Sequence, residues 1–204
     1  MAKKREILKE FEQKEEERAK NPGTDYFRSY YKGYGLKEVD SEDGLKRNEF
    51  VYRGIWYIFD GSAKKKLILK ILHALIIILA GACLVICGMQ SGEVNGSKIF
   101  AAPFFCCILM TVIRLFTTIF YAMSPLNMQE YDYNRAVKRF KMFSLIGGLC
   151  GIAGIVISLV LMISYKEFTG ANVINIICFV GVAASGIVSW ILEKKQNYFM
   201  EAAE

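Results

Sequence analysis

Histidine occurs once in the 204 residues, at His73, so the chain has no site built from several imidazoles. Aspartate and glutamate, 20 in all, are missing from 67–89, 99–123, 142–165 and 173–192. That gap removes the carboxylate which proton-coupled carriers usually hold near the bilayer midplane. The six cysteines, Cys83, Cys87, Cys106, Cys107, Cys150 and Cys178, all fall inside these runs, and no CxxC pair occurs. They read as small, weakly polar packing residues and not as a thiol redox pair or a metal centre. The connections lack a Gly-rich phosphate cradle, paired carboxylates, and a nucleophile beside a base. No catalytic, cofactor-binding or metal-ligating residue is therefore assigned, and an enzyme is not expected. The chain opens with Lys3, Lys4 and Arg5 but passes into a Glu-rich stretch, so a cleaved secretory signal is not expected either.

Apolar length dominates what is present. Hydrophobic residues make up 53% of the chain, against the roughly 45–50% usual in soluble domains even with glycine counted, which excludes an ordinary soluble enzyme. They crowd into the four acid-free runs. Each is about 20 residues or longer, and a helix rising about 1.5 Å per residue then covers a hydrocarbon core of roughly 30 Å. Backbone amides in lipid must pair within their own segment, so these runs predict four transmembrane helices. The expected fold is an all-α membrane protein, a four-helix bundle over 67–192. A small N-terminal region, 1–66, precedes it and a tail, 193–204, follows.

Lysine and arginine set the expected orientation. Lys64, Lys65, Lys66 and Lys70 flank the first run, Arg135, Lys138, Arg139 and Lys141 fill the second connection, and Lys194 and Lys195 follow the fourth run. All three groups fall on one side, while the other two connections offer only Lys98 and Lys166. Basic loops stay cytoplasmic, so both termini are expected inside a plasma membrane, with two short loops outside. The formal net charge of +6 then reflects topology and attraction to an anionic inner leaflet, not nucleic-acid binding.

The N-terminal region divides in three. Residues 2–20 predict a charged helix with a short apolar stripe of Ile7, Leu8 and Phe11, ended by Asn21, Pro22 and Gly23. An irregular aromatic stretch follows, with Tyr26, Phe27, Tyr30, Tyr31 and Tyr34. Residues 36–39 and 49–59 then predict the arms of a β-hairpin over 36–59, around the turn chemistry of Asp40 to Gly44. Tyr52, Trp56, Tyr57 and Phe59 also suit a headgroup-level aromatic segment before the first span. The run Tyr52-Arg53-Gly54-Ile55-Trp56-Tyr57, after Asp43-Gly44 and before a basic helix start, resembles the hairpin preceding the spans in uncharacterised four-helix membrane proteins of Gram-positive (Firmicutes-type) bacteria. That resemblance implies a general layout, and it implies no activity and no functional residues.

Polar residues inside the runs are the candidate site. Arg114 has Thr111, Thr117 or Thr118, and Tyr121 along one side of the second run, and helix rise places His73 at the same depth on the first. Ser144 and Ser189 approach that level from the other two. One reading is a polar cavity open to the cytoplasm in which Arg114 binds an anionic headgroup or a small anion while His73 donates a hydrogen bond or titrates. The other is a guanidinium that snorkels to the headgroups, beside a neutral histidine bonded to a neighbouring helix.

Small residues at four-residue spacing predict close packing of the third and fourth spans: Gly147 with Gly151 and Gly154 with Ser158 on the third, and Gly181, Ser185 and Ser189 on the fourth. Ala74, Gly81 and Gly88 suggest a further seam on the first. Asn172 and Asn175 are expected to cap or cross-link helix ends, with a small-solute site as the second reading. The functional expectation is a non-catalytic accessory, scaffold or regulatory subunit in contact with the bilayer, anionic lipid, and a protein partner or a second copy. The alternative is a small oligomeric transporter or channel with a polar path near Arg114.

Overall fold

The computed structural model describes residues 34–40, 46–52 and 54–202, which divide into two compact units with Trp56–Glu201 forming the second. The charged helix 2–20, the aromatic stretch before Tyr34 and the turn after Asp40 lie outside the described residues. In the first unit β1 (Tyr34–Asp40) pairs antiparallel with β2 (Lys46–Tyr52), Leu36 opposite Phe50 and Asp40 opposite Lys46. The Tyr34 and Tyr52 rings meet edge to face at 5.3 Å. The Tyr52 hydroxyl donates to the Ile55 carbonyl across Gly54, where a Cβ would come within 2.4 Å of that hydroxyl oxygen.

The hairpin therefore ends at Tyr52, not at Phe59 as the sequence reading had it. Residues Ile55–Phe59 form β3, which belongs to a separate three-stranded sheet. Its neighbours are β4 (Asn127–Gln129) and β5 (Tyr198–Ala202), in the order β4-β3-β5, with Tyr57 opposite Met128. A run of β-branched and aromatic residues predicts a strand but not its partner, and here both partners are distant in sequence.

Four helices among the described residues are long and apolar enough to cross a membrane. They are α1 (Ala63–Gly88), α2 (Lys98–Met123), α3 (Arg139–Tyr165) and α4 (Gly170–Lys194). A helical turn, Glu130–Tyr133, and a π-helical turn, Asn134–Lys138, run continuously into α3. Each helix packs on two others, in the cyclic order α1, α2, α3, α4. Their outer faces carry bare apolar side chains such as Ile78 at 65%, Phe105 at 65% and Ile163 at 65% exposure, a surface that water does not tolerate and lipid does. The chain is a multi-pass integral membrane protein.

Caps fix where the helices begin. Ser62 accepts from the Lys65 amide, so α1 starts four residues before the apolar run and takes Lys64, Lys65 and Lys66 into its first turn. Ser97 and Thr169 cap α2 and α4 in the same way. α3 stops at Lys166, which takes the left-handed conformation at φ 53°. Between α1 and α2 the chain turns at Gly92, whose φ of 154° suits glycine.

The helix ends are not flush. His73, Tyr121 and Phe140 stand at one level, their rings in mutual contact at 4.6 to 5.3 Å. α2 and α4 finish within a turn of that level, at Met123 and Lys194. α1 and the turns leading into α3 start ten residues earlier, and so project by roughly 15 Å beyond it. The small sheet is built at this end, from chain segments that flank α1, α2 and α4. Its aromatic core joins Tyr57, Tyr133 and Tyr198 to Met128 and Phe140.

At the opposite end the core is thiol- and phenylalanine-rich, with Cys87, Phe100, Cys107, Cys178 and Phe179. All six cysteines are free thiols, and Cys106 faces outward instead of packing inside. Asn175 joins three elements there. It donates to Asn95 at 2.6 Å and accepts from the Cys87 thiol at 3.4 Å, while Asn172 donates to the Glu167 carbonyl.

Candidate functional site

Arg114 is 2% exposed and turns into the bundle, not toward the headgroups. Its guanidinium donates to the Ser185 hydroxyl at 3.0 Å, the Ser185 carbonyl at 3.1 Å and the Ser189 hydroxyl at 3.4 Å. The α2 residues placed beside it in sequence serve its backbone. Thr117 and Thr118 both donate to the Arg114 carbonyl, at 3.0 and 2.7 Å, and Thr111 is half-buried a turn earlier. Hydroxyls that bond back to a carbonyl three or four residues before are no longer free to line a path.

His73 lies elsewhere. Equal counts from the span ends put it level with Arg114, but its ring rests against Tyr121, two turns and roughly 10 Å further along α2. The difference follows from the projecting start of α1. Opposite His73 stands Glu193, fully buried, its Oε2 at 3.8 Å from the imidazole Nε2. Tyr121 donates to the same oxygen at 2.8 Å, and Tyr198 donates to Oε1 at 2.6 Å. Burial, reinforced by the Glu193 charge, pushes the Tyr198 phenol above its ordinary range, which keeps it a donor.

Two lysines close the top of this cluster. Lys66 donates to the Pro125 carbonyl and Lys70 to that of Ser124 at 2.7 Å, tying α1 to the end of α2. Both donate to backbone carbonyls of the segment that follows α2.

Ser185, Ser189 and Glu193 recur every four residues on one face of α4, and form a polar column from mid-bundle to the sheet end. Arg114 holds its deep end and His73, Tyr121 and Tyr198 its shallow end. Sequence reasoning missed Glu193, because the apolar run stops at Leu192 and two lysines follow. The four-residue spacing with Ser185 and Ser189 is the signal that could have found it. Four buried atoms at the column have no hydrogen-bond partner among the described residues: both His73 nitrogens, Arg114 Nε and Ser144 Oγ.

The small residues have separate duties. A Cβ on Gly147 would meet Arg114 Cδ at 2.8 Å, so that glycine seats the arginine stem. Gly181 lies against the Cys83 sulfur of α1, not against α3. Gly151 meets the backbone of Ala183, Gly154 faces the Phe179 ring, and Ser158 bonds the Gly154 carbonyl. The closest approach of α3 and α4 is made by a pair outside the expected ladders, Gly148 and Gly186. A Cβ on Gly186 would come within 2.4 Å of the Gly148 nitrogen. The Ala74, Gly81 and Gly88 seam is not the buried face of α1, which presents Leu69, His73, Ile77, Ala80, Leu84 and Cys87 inward.

Chemically, the column sets a guanidinium and a carboxyl group among serine hydroxyls and tyrosine phenols inside the bundle. No group of three or more metal-ligating His, Cys, Asp or Glu residues is found among the described residues. No known protein family, curated protein or solved structure matches the chain.

Replacing Tyr198 by phenylalanine removes one of the two donors to a buried carboxylate and is expected to lower stability by about 1.5 kcal/mol. Thermal unfolding in detergent, compared with Tyr57→Phe at the stacked Tyr57–Tyr133 pair, checks this.

Proposed function

We propose that this chain is a plasma-membrane accessory or regulatory subunit without catalytic activity, its termini cytoplasmic and its β1–β2 hairpin available to a partner protein. The observation that carries the reading is the internal bonding of the intramembrane polar groups. Arg114 is held by two serines of α4 and Glu193 by two tyrosines, so the polar residues fasten helices to one another. Groups arranged in this way rigidify a bundle and do not line a solute path.

Orientation and lipid contact rest on the basic residues at the sheet end. Arg135 stacks at 3.8 Å from the Phe120 ring centroid and Lys194 at 4.7 Å from that of Trp190. Cations held over aromatic rings at the border of an apolar band suit a layer of anionic headgroups, and basic flanks face the cytoplasm.

The second reading, an oligomeric transporter, draws its support from the buried atoms without partners along the column. Purification of the tagged full chain in mild detergent, followed by mass spectrometry of co-purifying proteins and lipids, separates the two. A stoichiometric protein partner with retained anionic lipid is the expected result. A symmetric assembly of this chain alone, with Arg114 open to water-soluble reagents, would overturn the accessory reading.

A further inference from the structure

At the end of the bundle opposite the sheet, the connection 89–97 between α1 and α2 meets the connection 166–169 between α3 and α4. The side-chain amide donors there are committed elsewhere. Asn95 Nδ2 donates to the Gln90 carbonyl at 2.6 Å, Asn175 Nδ2 to Asn95 Oδ1 at 2.6 Å, and Asn172 Nδ2 to the Glu167 carbonyl at 2.8 Å. The last bond fixes the Asn172 amide, because a flip would set its oxygen against that carbonyl. Asn172 Oδ1 is therefore buried, in a residue 1% exposed, with no donor among the described residues. A buried acceptor left in this way is costly unless something meets it.

Gly92 shows what that oxygen faces. A Cβ built on Gly92 would lie 3.5 Å from Glu167 Oε1, 3.8 Å from Asn172 Oδ1 and 3.9 Å from Glu167 Oε2. Three acceptor oxygens thus surround one point, which glycine keeps clear of side chain. The Val94 amide donates to Glu167 Oε2 at a long 3.4 Å, and Glu167 forms no ion pair among the described residues. We propose that Glu167, Asn172 and Gly92 frame a binding site for a hard divalent cation of the calcium class, with both carboxylate oxygens and the Asn172 amide oxygen as ligands and water completing the shell. Calcium takes about six to eight oxygens in a flexible shell, bidentate carboxylates and amide carbonyls included, whereas magnesium holds to a tight octahedron and keeps its own water. Softer metals want imidazole or thiolate, and these oxygens offer neither. A water molecule brings two hydrogens to three oxygens and leaves the carboxylate charge unmatched; a cation meets all three and neutralises it.

The ion ties the two connections together, since Gly92 belongs to the turn after α1, Glu167 follows α3, and Asn172 lies in the first turn of α4, its amide bonded to the capping Thr169. One carboxylate and one amide make a sparse ligand set, so the midpoint is expected in the range of about 0.1–1 mM, as in extracellular calcium modules. The inference goes beyond the accessory reading and does not depend on it.

The full chain in non-ionic detergent, stripped with EDTA and exchanged into calcium-free buffer, is titrated with calcium chloride while thermal unfolding is followed by circular dichroism. A saturable effect is expected, and at about ten times the midpoint concentration the ratio of folded to unfolded chain is expected to rise about tenfold. Magnesium chloride at the same concentration, and sodium chloride at the same ionic strength, are expected to give little of this shift. Glu167→Gln keeps an oxygen for the Val94 amide but removes the charge, and is expected to weaken calcium binding at least about tenfold. Asp132→Asn, at the sheet end, is expected to leave it unchanged. No calcium-dependent shift, a shift that magnesium or sodium reproduces, or one that Glu167→Gln retains in full would overturn the proposal. Should Glu167→Gln fail to fold, the magnesium and sodium arms decide it on the unsubstituted chain.

Discussion

Gly186→Leu is expected to abolish the native bundle. A Cβ at this position would lie 2.4 Å from the Gly148 nitrogen, 2.6 Å from its Cα and 2.6 Å from the Ser144 carbonyl oxygen. All three are backbone atoms, which no rotamer change can move aside. Relief requires α3 and α4 to separate along their closest line of contact, and lipid offers no hydrophobic force to draw them back. Overpacking in a tight core typically costs 1–3 kcal/mol, and a clash of leucine size against backbone is expected at about 3 kcal/mol or more. Gly81→Leu is the matched control, since its Cβ position has nothing within 4 Å. Titration of both variants with SDS in mixed micelles, followed by circular dichroism and tyrosine fluorescence, checks the difference. Equal stability of the two would refute a glycine-dependent contact between α3 and α4.

The double substitution Ser185→Ala and Ser189→Ala is expected to destabilise by about 3 kcal/mol. It leaves the Arg114 guanidinium buried, with only the Ser185 carbonyl to receive it. An ion stripped of its partners in a low-dielectric interior costs far more than the intact contact contributes. The informative variant adds Arg114→Leu to the pair. With the charge gone the serines are no longer required, and most of the lost stability is expected to return. Such recovery is the signature of a lock that answers a buried charge. An arginine snorkelling to the headgroups would make the double substitution nearly silent and the triple one no better.

The four spans were legible because a run of about 20 apolar residues without acid is a one-dimensional signal that needs no knowledge of neighbours. The caps were less so. Ser62 carries α1 back over three lysines that hydropathy assigns to the outside, and this shift of one turn is part of why His73 meets Tyr121 instead of Arg114. Long-range pairing was not legible at all. Ile55–Phe59 reads as the second arm of a hairpin, since nothing local in Asn127–Gln129 or Tyr198–Ala202 marks them as its partners. Arg114 was found by its charge, but its partners depend on which face of α4 turns inward. Glu193 was lost because it sits one residue past an apolar run, where a carboxylate normally means solvent. The small-residue ladders pointed to the right pair of helices and missed the tightest contact, because several four-residue spacings compete along α3 and only packing decides among them.

The interleaving of the strands has a consequence for biogenesis. Tyr198 lies beyond α4, so it leaves the ribosome after all four spans, and the strand that contains it is the last of the sheet to be made. Until it arrives, Glu193 has one phenol instead of two and β3 lacks one of its two neighbours. Insertion of the spans and completion of the sheet are thus successive events, and the second waits for a strand made after the fourth span.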